Sequence, residues 1–437
     1  MIIDFSVRNF RSIKETQTLS FQAAKNKHLE KYYVMEMGKY RLLKVAMLYG
    51  ANASGKTNIL RALDMLYTLV REPVENKNET IDYETFRFDP AFQKGDTEME
   101  IDFIHNNVRY DYEVKFNHQC IVREKLFNYS PGKSLVFERT TDTDKQLAKI
   151  SFGSKVKVDK NDLSNLSFTT LWNNTVLAGF SKSNVDIPQL QAVLEWFHTT
   201  LMPIVTPRTD LTNFVSEQVE KHDISKDKLV ELLNKADFGI DDIVYEHNEE
   251  SVPEDLKNML LNDEAVPEHI KNKLKKTGTL SRGEIFLIHS VDGNNFRLPL
   301  QEESRGTQRY YGLGGLMLLL TEHHSVLSVD ELESSLHPDL YQHFLFTYLK
   351  NSRQSQLIVT THNRELLNDR DLFRKDAVWI TDRNNEEQMT ELYSLDSFDS
   401  SVVRDTTNVY NAYRIGKLGG VPMVSDVDFL STYNEKE

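Results

Sequence analysis

Residues 50–57 read Gly50-Ala51-Asn52-Ala53-Ser54-Gly55-Lys56-Thr57, a glycine-bounded loop that ends in a lysine and a hydroxyl residue. The loop follows an apolar run over 44–49 and precedes a helix-like run that begins at Asn58. This strand–loop–helix order distinguishes a phosphate-binding loop from a chance match. The backbone N–H groups of such a loop, with the positive end of the following helix, surround the phosphates of a nucleotide. The sequence therefore predicts a nucleotide site at Gly50, Asn52, Ala53, Ser54, Gly55, Lys56, Thr57 and Asn58.

A pair of carboxylates follows a second buried run, 326–329. Burial of this strand would place Asp330 at the carboxyl edge of the sheet, near the loop, where Asp330 and Thr57 are predicted to hold Mg²⁺. Glu331, one residue on, points elsewhere and is predicted to polarise an attacking water as a general base. His362 follows the next buried run, 357–359, and is predicted to contact the γ-phosphate and sense its loss. Glu331 and His362 are thus the candidate catalytic residues.

A third polar group, residues 303–307, precedes another helical run. The Ser304 hydroxyl, the backbone N–H of Gly306 and the helix N-terminus would together form an anion site. One nucleotide needs only one phosphate loop, so a second phosphate-binding element requires its own explanation. We interpret Ser304 and Gly306 as elements that close over a nucleotide bound by another copy of the chain.

The spacing of apolar residues predicts how the chain is organised. Residues 1–24 and 97–140 alternate apolar and polar positions, which predicts strands and an antiparallel meander. The part from 186 to 280 has apolar residues at helical spacing and charges of both signs, which predicts a helical insertion. A helix over about 308–322 and the two buried runs that follow predict a parallel sheet. We therefore predict an α/β fold with parts 1–185, 186–280 and 281–437.

Composition limits the classes of protein to which the chain can belong. Its 437 residues are 39% hydrophobic and 27% charged, as in ordinary globular proteins. No apolar run is long enough to span a bilayer and no secretory signal is visible, so we expect a cytoplasmic protein without a membrane partner. The single cysteine, Cys120, excludes an intramolecular disulfide and is interpreted as a small core residue. The net charge of −14 counts against broad DNA binding.

In this order, the motifs resemble those of an ABC-type ATPase head of the SMC/RecF/OLD-like group. Residues 50–57 resemble its Walker A loop, 304–306 a degenerate signature motif, 330–331 Walker B, 334–338 the D-loop, and His362 the switch histidine. The resemblance implies that the chain binds and hydrolyses ATP with Mg²⁺ as a head-to-head dimer. The signature lacks one of its two usual glycines, and Gln93 is a poor candidate for the Q-loop glutamine.

The two ends of the chain, about 1–140 and 280–425, more narrowly resemble stand-alone bacterial AAA-like ATP/GTP phosphatases. Several of these serve in anti-phage systems of the PARIS (AriA) and RloA types. Segments 376–380, 391–395 and 416–422 support this resemblance. It implies a homo-oligomer that controls a separately encoded effector, such as a Toprim-like nuclease, in response to a phage trigger protein. Nothing after His362 resembles the acidic clusters of a Toprim nuclease.

Two other functions stay open on the sequence alone. A RecF-like clamp would close on DNA when ATP binds, and the acidic balance of the chain disfavours it. A nucleotide-binding scaffold would bind ATP with little turnover, and the presence of Glu331 and His362 disfavours it. Arg8 and Arg11 would either touch the base or ribose of the nucleotide or form a solvated strand face.

Overall fold

The computed structural model describes residues 1–262, 268–369, 372–384, 386–398 and 409–422. Contacts within the chain divide it into two compact units. The first unit comprises Met1–Pro207, His323–Ser334 and Leu345–Glu437, and the second comprises Arg208–Glu322 and Ser335–Phe344. The domain boundaries drawn from the sequence, at 185/186 and 280/281, stay a prediction.

The secondary structure follows in chain order. The first elements are β1 (Ile2–Arg8), β2 (Gln17–Ser20), α1 (Glu30–Tyr33), β3 (Val34–Met37), β4 (Tyr40–Leu43), β5 (Val45–Tyr49), α2 (Lys56–Arg71) and α3 (Pro90–Gln93). Next come β6 (Thr97–His105), β7 (Val108–Phe116), β8 (Ile121–Tyr129), β9 (Lys133–Asp142), β10 (Leu147–Phe152), α4 (Lys160–Thr169), α5 (Val176–Ser181) and α6 (Pro188–Thr199).

The remaining elements run from the second unit back into the first. They are α7 (Thr212–Glu220), α8 (Lys226–Lys235), β11 (Asp242–Ser251), α9 (Glu254–Asn262), α10 (Glu268–Thr277), β12 (Thr279–Val291), β13 (Asn294–Pro299) and α11 (Arg305–Glu322). The last are β14 (Val326–Val329), α12 (Pro338–Asn351), β15 (Gln356–Thr360), β16 (Val378–Arg383), β17 (Thr390–Ser394) and α13 (Val409–Arg414). Short 3-10 helices cover Leu300–Glu302, Glu365–Asn368, Lys375–Ala377 and Leu395–Ser397.

A five-stranded sheet in the order β14-β15-β5-β16-β17 forms the centre of the first unit. The first four strands are parallel, and β17 pairs antiparallel with β16. Every residue of β5, β14 and β15 is buried, as the continuous apolar runs of these strands require. Because β5 lies between β15 and β16, the loop at its carboxyl end has a strand end on each side. The predicted parallel sheet is confirmed.

A seven-stranded antiparallel sheet in the order β10-β9-β8-β7-β6-β1-β2 forms a second sheet of this unit. Strands β6 to β9 pair consecutively, which confirms the meander predicted over 97–140. Strands β1 and β2 confirm the strands predicted before residue 24. Cys120, which is 1% exposed, is the small core residue that the sequence predicted.

The second unit contains a three-stranded antiparallel sheet, β11-β12-β13, and the helix α11, against which α7 and α8 pack. Strand β11 corrects the purely helical prediction for 186–280, because its ten residues pair with β12 along their whole length. The sequence also predicts that a helix begins at Pro267, and this residue lies outside the described residues. No helix in the described parts of the chain is long and apolar enough to cross a membrane. The predicted α/β class is thus confirmed.

A buried carboxylate joins the antiparallel sheet to α5. Glu124 is fully buried, its Oε1 accepts a hydrogen bond from the Tyr112 hydroxyl (2.8 Å), and its Oε2 accepts one from the Val176 N–H (2.8 Å). Burial raises the pKa of Glu124 to about 7, and the charge of Arg139 opposes this shift. The protonated carboxyl is therefore favoured in the folded protein more than in the unfolded chain.

We expect the stability contribution of Glu124 to depend on pH. Because its folded pKa lies above the unfolded value, the contribution is present below the unfolded pKa and is lost as pH rises through about 7. From pH 5 to 8, the wild type should lose up to about 3 kcal/mol of unfolding free energy relative to a Glu124→Gln variant. Urea unfolding of both proteins at several pH values measures this difference. Parallel pH profiles would show that Glu124 has an ordinary pKa.

Candidate nucleotide-binding site

The backbone of the phosphate loop adopts conformations that few residue types tolerate. Gly55, the residue before α2, has a φ of 105°, and a Cβ there would lie 2.0 Å from Thr390 Oγ1. Ala53 has a φ of 62°. A loop that contains such residues can turn its N–H groups toward one concave side, which is the geometry that holds phosphate oxygens. Glycine is thus required at position 55 both for its φ and for the close approach of Thr390.

The lysine of the loop is buried and points back across the loop. Lys56 is 6% exposed, and its Nζ donates hydrogen bonds to the carbonyl oxygens of Gly50 (2.9 Å) and Ala51 (3.1 Å). Burial lowers the pKa of Lys56 to about 8, and the charges of Asp330, Glu333 and Glu331 oppose that shift. The ammonium therefore lies where the loop would enclose a phosphate, and the carbonyl oxygens of the loop accept its hydrogen bonds.

The first carboxylate after β14 contacts the hydroxyl at the start of α2. Thr57 Oγ1 lies 3.0 Å and 3.1 Å from the two carboxylate oxygens of Asp330, to which it donates. The Thr360 hydroxyl, at the end of β15, donates to Asp330 Oδ1 (2.6 Å). Asp330 is 6% exposed. The predicted metal ligands Thr57 and Asp330 are thus adjacent in the folded chain, although 273 positions separate them in the sequence.

The second carboxylate is exposed and stands on a strained backbone. Glu331 has a φ of 47°, in the left-handed region, which costs a non-glycine residue about 1–2 kcal/mol. Its N–H donates to Thr360 Oγ1 (2.7 Å), and the N–H of the next residue, Leu332, donates to the Thr360 carbonyl (3.2 Å). These bonds hold the turn at the end of β14. Unusual backbone at such a position is typical of functional sites.

A carboxylate that the sequence analysis did not single out contacts the backbone of the predicted switch histidine. Glu333 Oε1 accepts a hydrogen bond from the N–H of His362, while Glu333 Oε2 is buried and has no hydrogen-bond partner among the residues that the structure describes. Burial lowers the pKa of His362, the charge of Lys56 lowers it further, and Glu333 is the foremost of the charges that oppose the shift. His362 therefore lies within electrostatic range of the loop lysine.

Hydroxyl groups from distant parts of the chain support the loop through hydrogen bonds. Ser54 Oγ shares a hydrogen bond with Thr381 Oγ1 (2.6 Å), and the Thr390 hydroxyl donates to the Ser54 carbonyl (2.9 Å). The hydroxyls of Ser12 and Thr390 are 2.7 Å apart, and Asn58 Nδ2 donates to Ser12 Oγ (2.7 Å). Asn58 thus supports the loop through Ser12. No sequence motif marks the two threonines and Ser12.

The signature residues lie in the second unit, at the start of α11. Ser304 is exposed, and its Oγ accepts a hydrogen bond from the N–H of Thr307 (3.1 Å), so that it caps the helix. A Cβ added to Gly306 would lie 3.1 Å from the carbonyl oxygen of Ser335 in the predicted D-loop. The predicted signature and D-loop are therefore neighbours within this unit. The role of Ser304 and Gly306 toward a second copy stays a prediction.

Three further residues named from the sequence make local contacts. Arg8 forms ion pairs with Glu15 (3.5 Å) and Glu98 (3.9 Å), and Arg11 forms one with Glu84 (3.9 Å). Exposed ion pairs of this kind contribute little to stability. Gln93 donates to the carbonyl of Arg87 through its side chain. These contacts favour the interpretation of Arg8 and Arg11 as a solvated charged face.

The donor set at the loop suits a triphosphate with a small divalent cation. Thr57 and Asp330 supply hydroxyl and carboxylate oxygens, the hard ligands that Mg²⁺ prefers. Lys56 and backbone N–H groups of the loop supply the positive charge and donors that phosphates need. The residues present therefore have the chemistry needed to bind both a triphosphate and Mg²⁺.

A phosphate loop on the central parallel strand β5, with a histidine after the adjacent strand β15 and an aspartate after β14, the next strand along, defines a nucleotide-binding ATPase fold. The chain belongs to the family described as "AAA domain, putative AbiEii toxin, Type IV TA system", whose sequence profile matches residues 45–368. This match includes the phosphate loop, Asp330, Glu331 and His362. No curated protein matches the sequence at a significant level.

Solved structures with similar folds include two SMC head domains. The SMC head domain from Thermotoga maritima has a TM-score of 0.39 and 12% identity, covering 90% of this chain and 98% of that chain. An SMC head bound to the C-winged helix domain of ScpA has a TM-score of 0.44 and 10% identity, covering 90% of this chain and 97% of that chain.

Proposed function

We propose that the chain binds and hydrolyses ATP with Mg²⁺, and that binding brings two copies together head to head. The observation that carries the proposal is the pair of hydrogen bonds from Thr57 to Asp330, which joins the phosphate loop to the acidic end of β14. The family of AAA-type ATPases to which the chain belongs supports the coarser statement, that it is an ATPase by descent.

Each of these residues of the first unit has its own role in the proposed reaction. Lys56 neutralises charge on the outer phosphates, and Thr57 and Asp330 hold the cation. Mg²⁺, when bound, supplies charge neutralisation at the phosphoryl oxygens. Glu331, exposed at the end of β14, accepts a proton from the attacking water. His362 contacts the γ-phosphate and is held in place by the bond from its N–H to Glu333.

A second copy completes the site in this proposal. Ser304 is exposed while its Oγ caps α11, so a phosphate that approaches it also meets the positive end of an 18-residue helix. An exposed anion site of this kind is suited to a ligand held by another molecule. ATP between two heads would then contact Lys56 of one copy and Ser304 of the other.

The dimer would act as a switch for a separately encoded effector. We propose an effector such as a Toprim-like nuclease, released or assembled when ATP is bound or hydrolysed, with a phage protein as trigger. The resemblance of the chain ends to anti-phage ATPases supports this role by analogy. A RecF-like clamp is less favoured, because the net charge of −14 gives the surface as a whole a repulsive field toward DNA.

Complementation between two inactive variants tests the composite site. Ser304→Asp keeps a good helix cap and places a negative charge where the phosphate must bind. Lys56→Ala and Ser304→Asp should each be inactive alone, because every site in either homodimer carries one defect. Mixed in equal amounts, they should regain about a quarter of wild-type ATPase activity, since half of the dimers are mixed and each has one intact site of two.

This experiment and two further measurements separate the alternatives. No recovery on mixing, with both variants folded by circular dichroism, would contradict a site shared between copies. ATP-dependent and salt-sensitive retention of duplex DNA by the wild type would favour the clamp. ATP-dependent dimers without phosphate release would favour the scaffold.

A further inference from the structure

The segment 409–420 lies directly behind the first residue of the phosphate loop. Gly419 and Gly420 both have positive φ, 68° and 66°. A Cβ on Gly419 would lie 2.2 Å from the Tyr393 hydroxyl, and one on Gly420 would lie 2.7 Å from Ile380 Cγ2 and 3.3 Å from Gly50 Cα. Only glycines allow the segment to approach the sheet and the loop this closely.

One side chain of α13 joins this segment to the loop. Tyr413 is 4% exposed, and its hydroxyl donates to the carbonyl oxygen of Gly420 (2.8 Å). Burial raises the pKa of Tyr413, and the nearby backbone N–H of Gly50 is one of the groups that oppose this rise. The ring of Tyr413 meets the ring of Tyr49 edge to face, with centroids 6.0 Å apart. Tyr413 therefore contacts the last residue of β5 and the first residue of the loop.

The same helix also contacts the chain beyond the predicted switch histidine. Helix α13 packs against the 3-10 helix Glu365–Asn368, which begins three residues after His362. The charge of Arg364, between them, also acts on the Tyr413 hydroxyl. The segment thus contacts the beginning of the loop on one side and the continuation of the histidine segment on the other. The phosphate loop and the segment that contains His362 would both respond to the γ-phosphate.

We propose that Tyr413 is a positioning residue for the phosphate loop, through which the C-terminal segment 409–420 is coupled to nucleotide occupancy. The inference rests on the proposed function, since it takes the loop as the phosphate site. The hydroxyl of Tyr413 holds Gly420 against Gly50 and so keeps the start of the loop in the conformation that binds phosphate. A loop held in its binding conformation before the ligand arrives binds more tightly, because less ordering remains to be done.

Coupling between two sites is reciprocal. If the segment favours the phosphate-binding form of the loop, phosphate binding must favour the docked form of the segment by the same factor. The nucleotide would therefore slow the opening of 409–420, and a partner that grips this segment would alter nucleotide affinity. This gives the C-terminal segment a part in transmitting the nucleotide state.

The test compares Tyr413→Phe with Tyr410→Phe on the same helix. Tyr413→Phe keeps the ring against Tyr49 and removes the hydroxyl, whereas Tyr410 is half-buried beside Arg414 and serves as the control. Tyr413→Phe should bind ADP and pyrophosphate about 5- to 20-fold more weakly, by the same factor for both, because both use the loop. Tyr410→Phe should bind both as the wild type does. Calorimetry gives the affinities.

Hydrogen exchange of the full-length wild type provides a measurement that does not depend on the variant. ADP should slow exchange of the amides in 409–420 by at least about 3-fold in the wild type, and this slowing should be lost in Tyr413→Phe. Wild-type ADP binding with no slowing, or equal ADP affinity in Tyr413→Phe, would overturn the inference and leave the proposed function standing. A wild type that binds neither ATP nor ADP would overturn both.

Discussion

The Lys56→Ala protein is expected to bind ATP at least about 100-fold more weakly than the wild type, because charge-assisted hydrogen bonds to the phosphates are lost. Lys56 Nζ lies inside the loop, on the carbonyls of Gly50 and Ala51, so a bound phosphate would meet the ammonium without rearrangement of the backbone. Hydrolysis should fall to background, since both binding and charge neutralisation fail. Calorimetric titration with ATP and Mg²⁺, followed by phosphate release, measures the two effects.

A second buried lysine, at the other end of β5, provides a matched control. Lys44 is 6% exposed, as Lys56 is, and it stands before β5 at the opposite end from the loop, where its Nζ donates to the Ser352 carbonyl (2.7 Å). Lys44→Ala should lower the melting temperature while leaving ATP affinity within about 3-fold of wild type, because the lost bond is structural. Equal loss of affinity in both variants would point to general unfolding. Unchanged ATP affinity in Lys56→Ala would remove the loop from the nucleotide site.

The local part of the site could be predicted because its determinants are contiguous. Strand β5, the loop and α2 follow one another within 44–71, and the apolar run, the glycines and the lysine are all visible in the sequence. The neighbouring strands could also be predicted. Their runs, 326–329 and 356–360, are apolar enough to be buried on both faces, and buried parallel strands end at a common edge. That edge brings Asp330 to Thr57.

The supports of the loop could not be predicted, because they depend on contacts between distant residues of common types. Ser12, Thr381 and Thr390 are ordinary hydroxyl residues in sequence, and only the fold brings them to Ser54 and Asn58. Tyr413 is likewise one of 18 tyrosines, so its contact with the loop leaves no signal in the sequence. Glu333 does stand two residues after Glu331, and this spacing was a signal that could have been noticed.

Strand β11 shows why the helical prediction from charge patterning was wrong for this part of the chain. Its sequence, Asp242-Ile243-Val244-Tyr245-Glu246-His247-Asn248-Glu249-Glu250-Ser251, is rich in acidic residues, which favoured a solvated helix. Ile243, by contrast, is 1% exposed, and the strand forms one edge of its sheet. An edge strand tolerates charges because one side of it faces water, and charges there oppose unwanted pairing with other chains. Pairing with β12 therefore outweighs the local preference of this charged sequence for a helix.

Glu331 and Glu333 are both candidates for the general base, and their surroundings differ. Glu333 is held, since its Oε1 accepts the N–H of His362, and its charge acts on Lys56 more strongly than that of Glu331. Glu331 is exposed, on a backbone turn that the Thr360 hydroxyl holds. A general base must reach a water in line with the γ-phosphate, and a side chain already used to hold backbone is less free to do so. This favours Glu331 as the base and Glu333 as the support of His362.

Glu331→Gln is accordingly expected to lower the rate of ATP hydrolysis by about 100- to 10,000-fold, because an amide cannot accept the proton of the attacking water. ATP affinity should stay within about 3-fold of wild type, since Lys56, Thr57 and Asp330 are untouched. The variant should therefore collect in the ATP-bound form, and if ATP joins two heads it should accumulate as a dimer. Single-turnover phosphate release and light scattering after size exclusion measure the two properties.

Glu333→Gln gives the contrast that decides between the two carboxylates. Glutamine retains the Oε1 acceptor for the N–H of His362 but removes the negative charge beside Lys56 and His362. This variant should keep measurable turnover, with a loss smaller than about 30-fold, because it disturbs the position of His362 and leaves proton transfer intact. If Glu333→Gln abolished hydrolysis while Glu331→Gln retained it, the base would be Glu333. Glu331, on its left-handed turn, would then serve only to shape the end of β14.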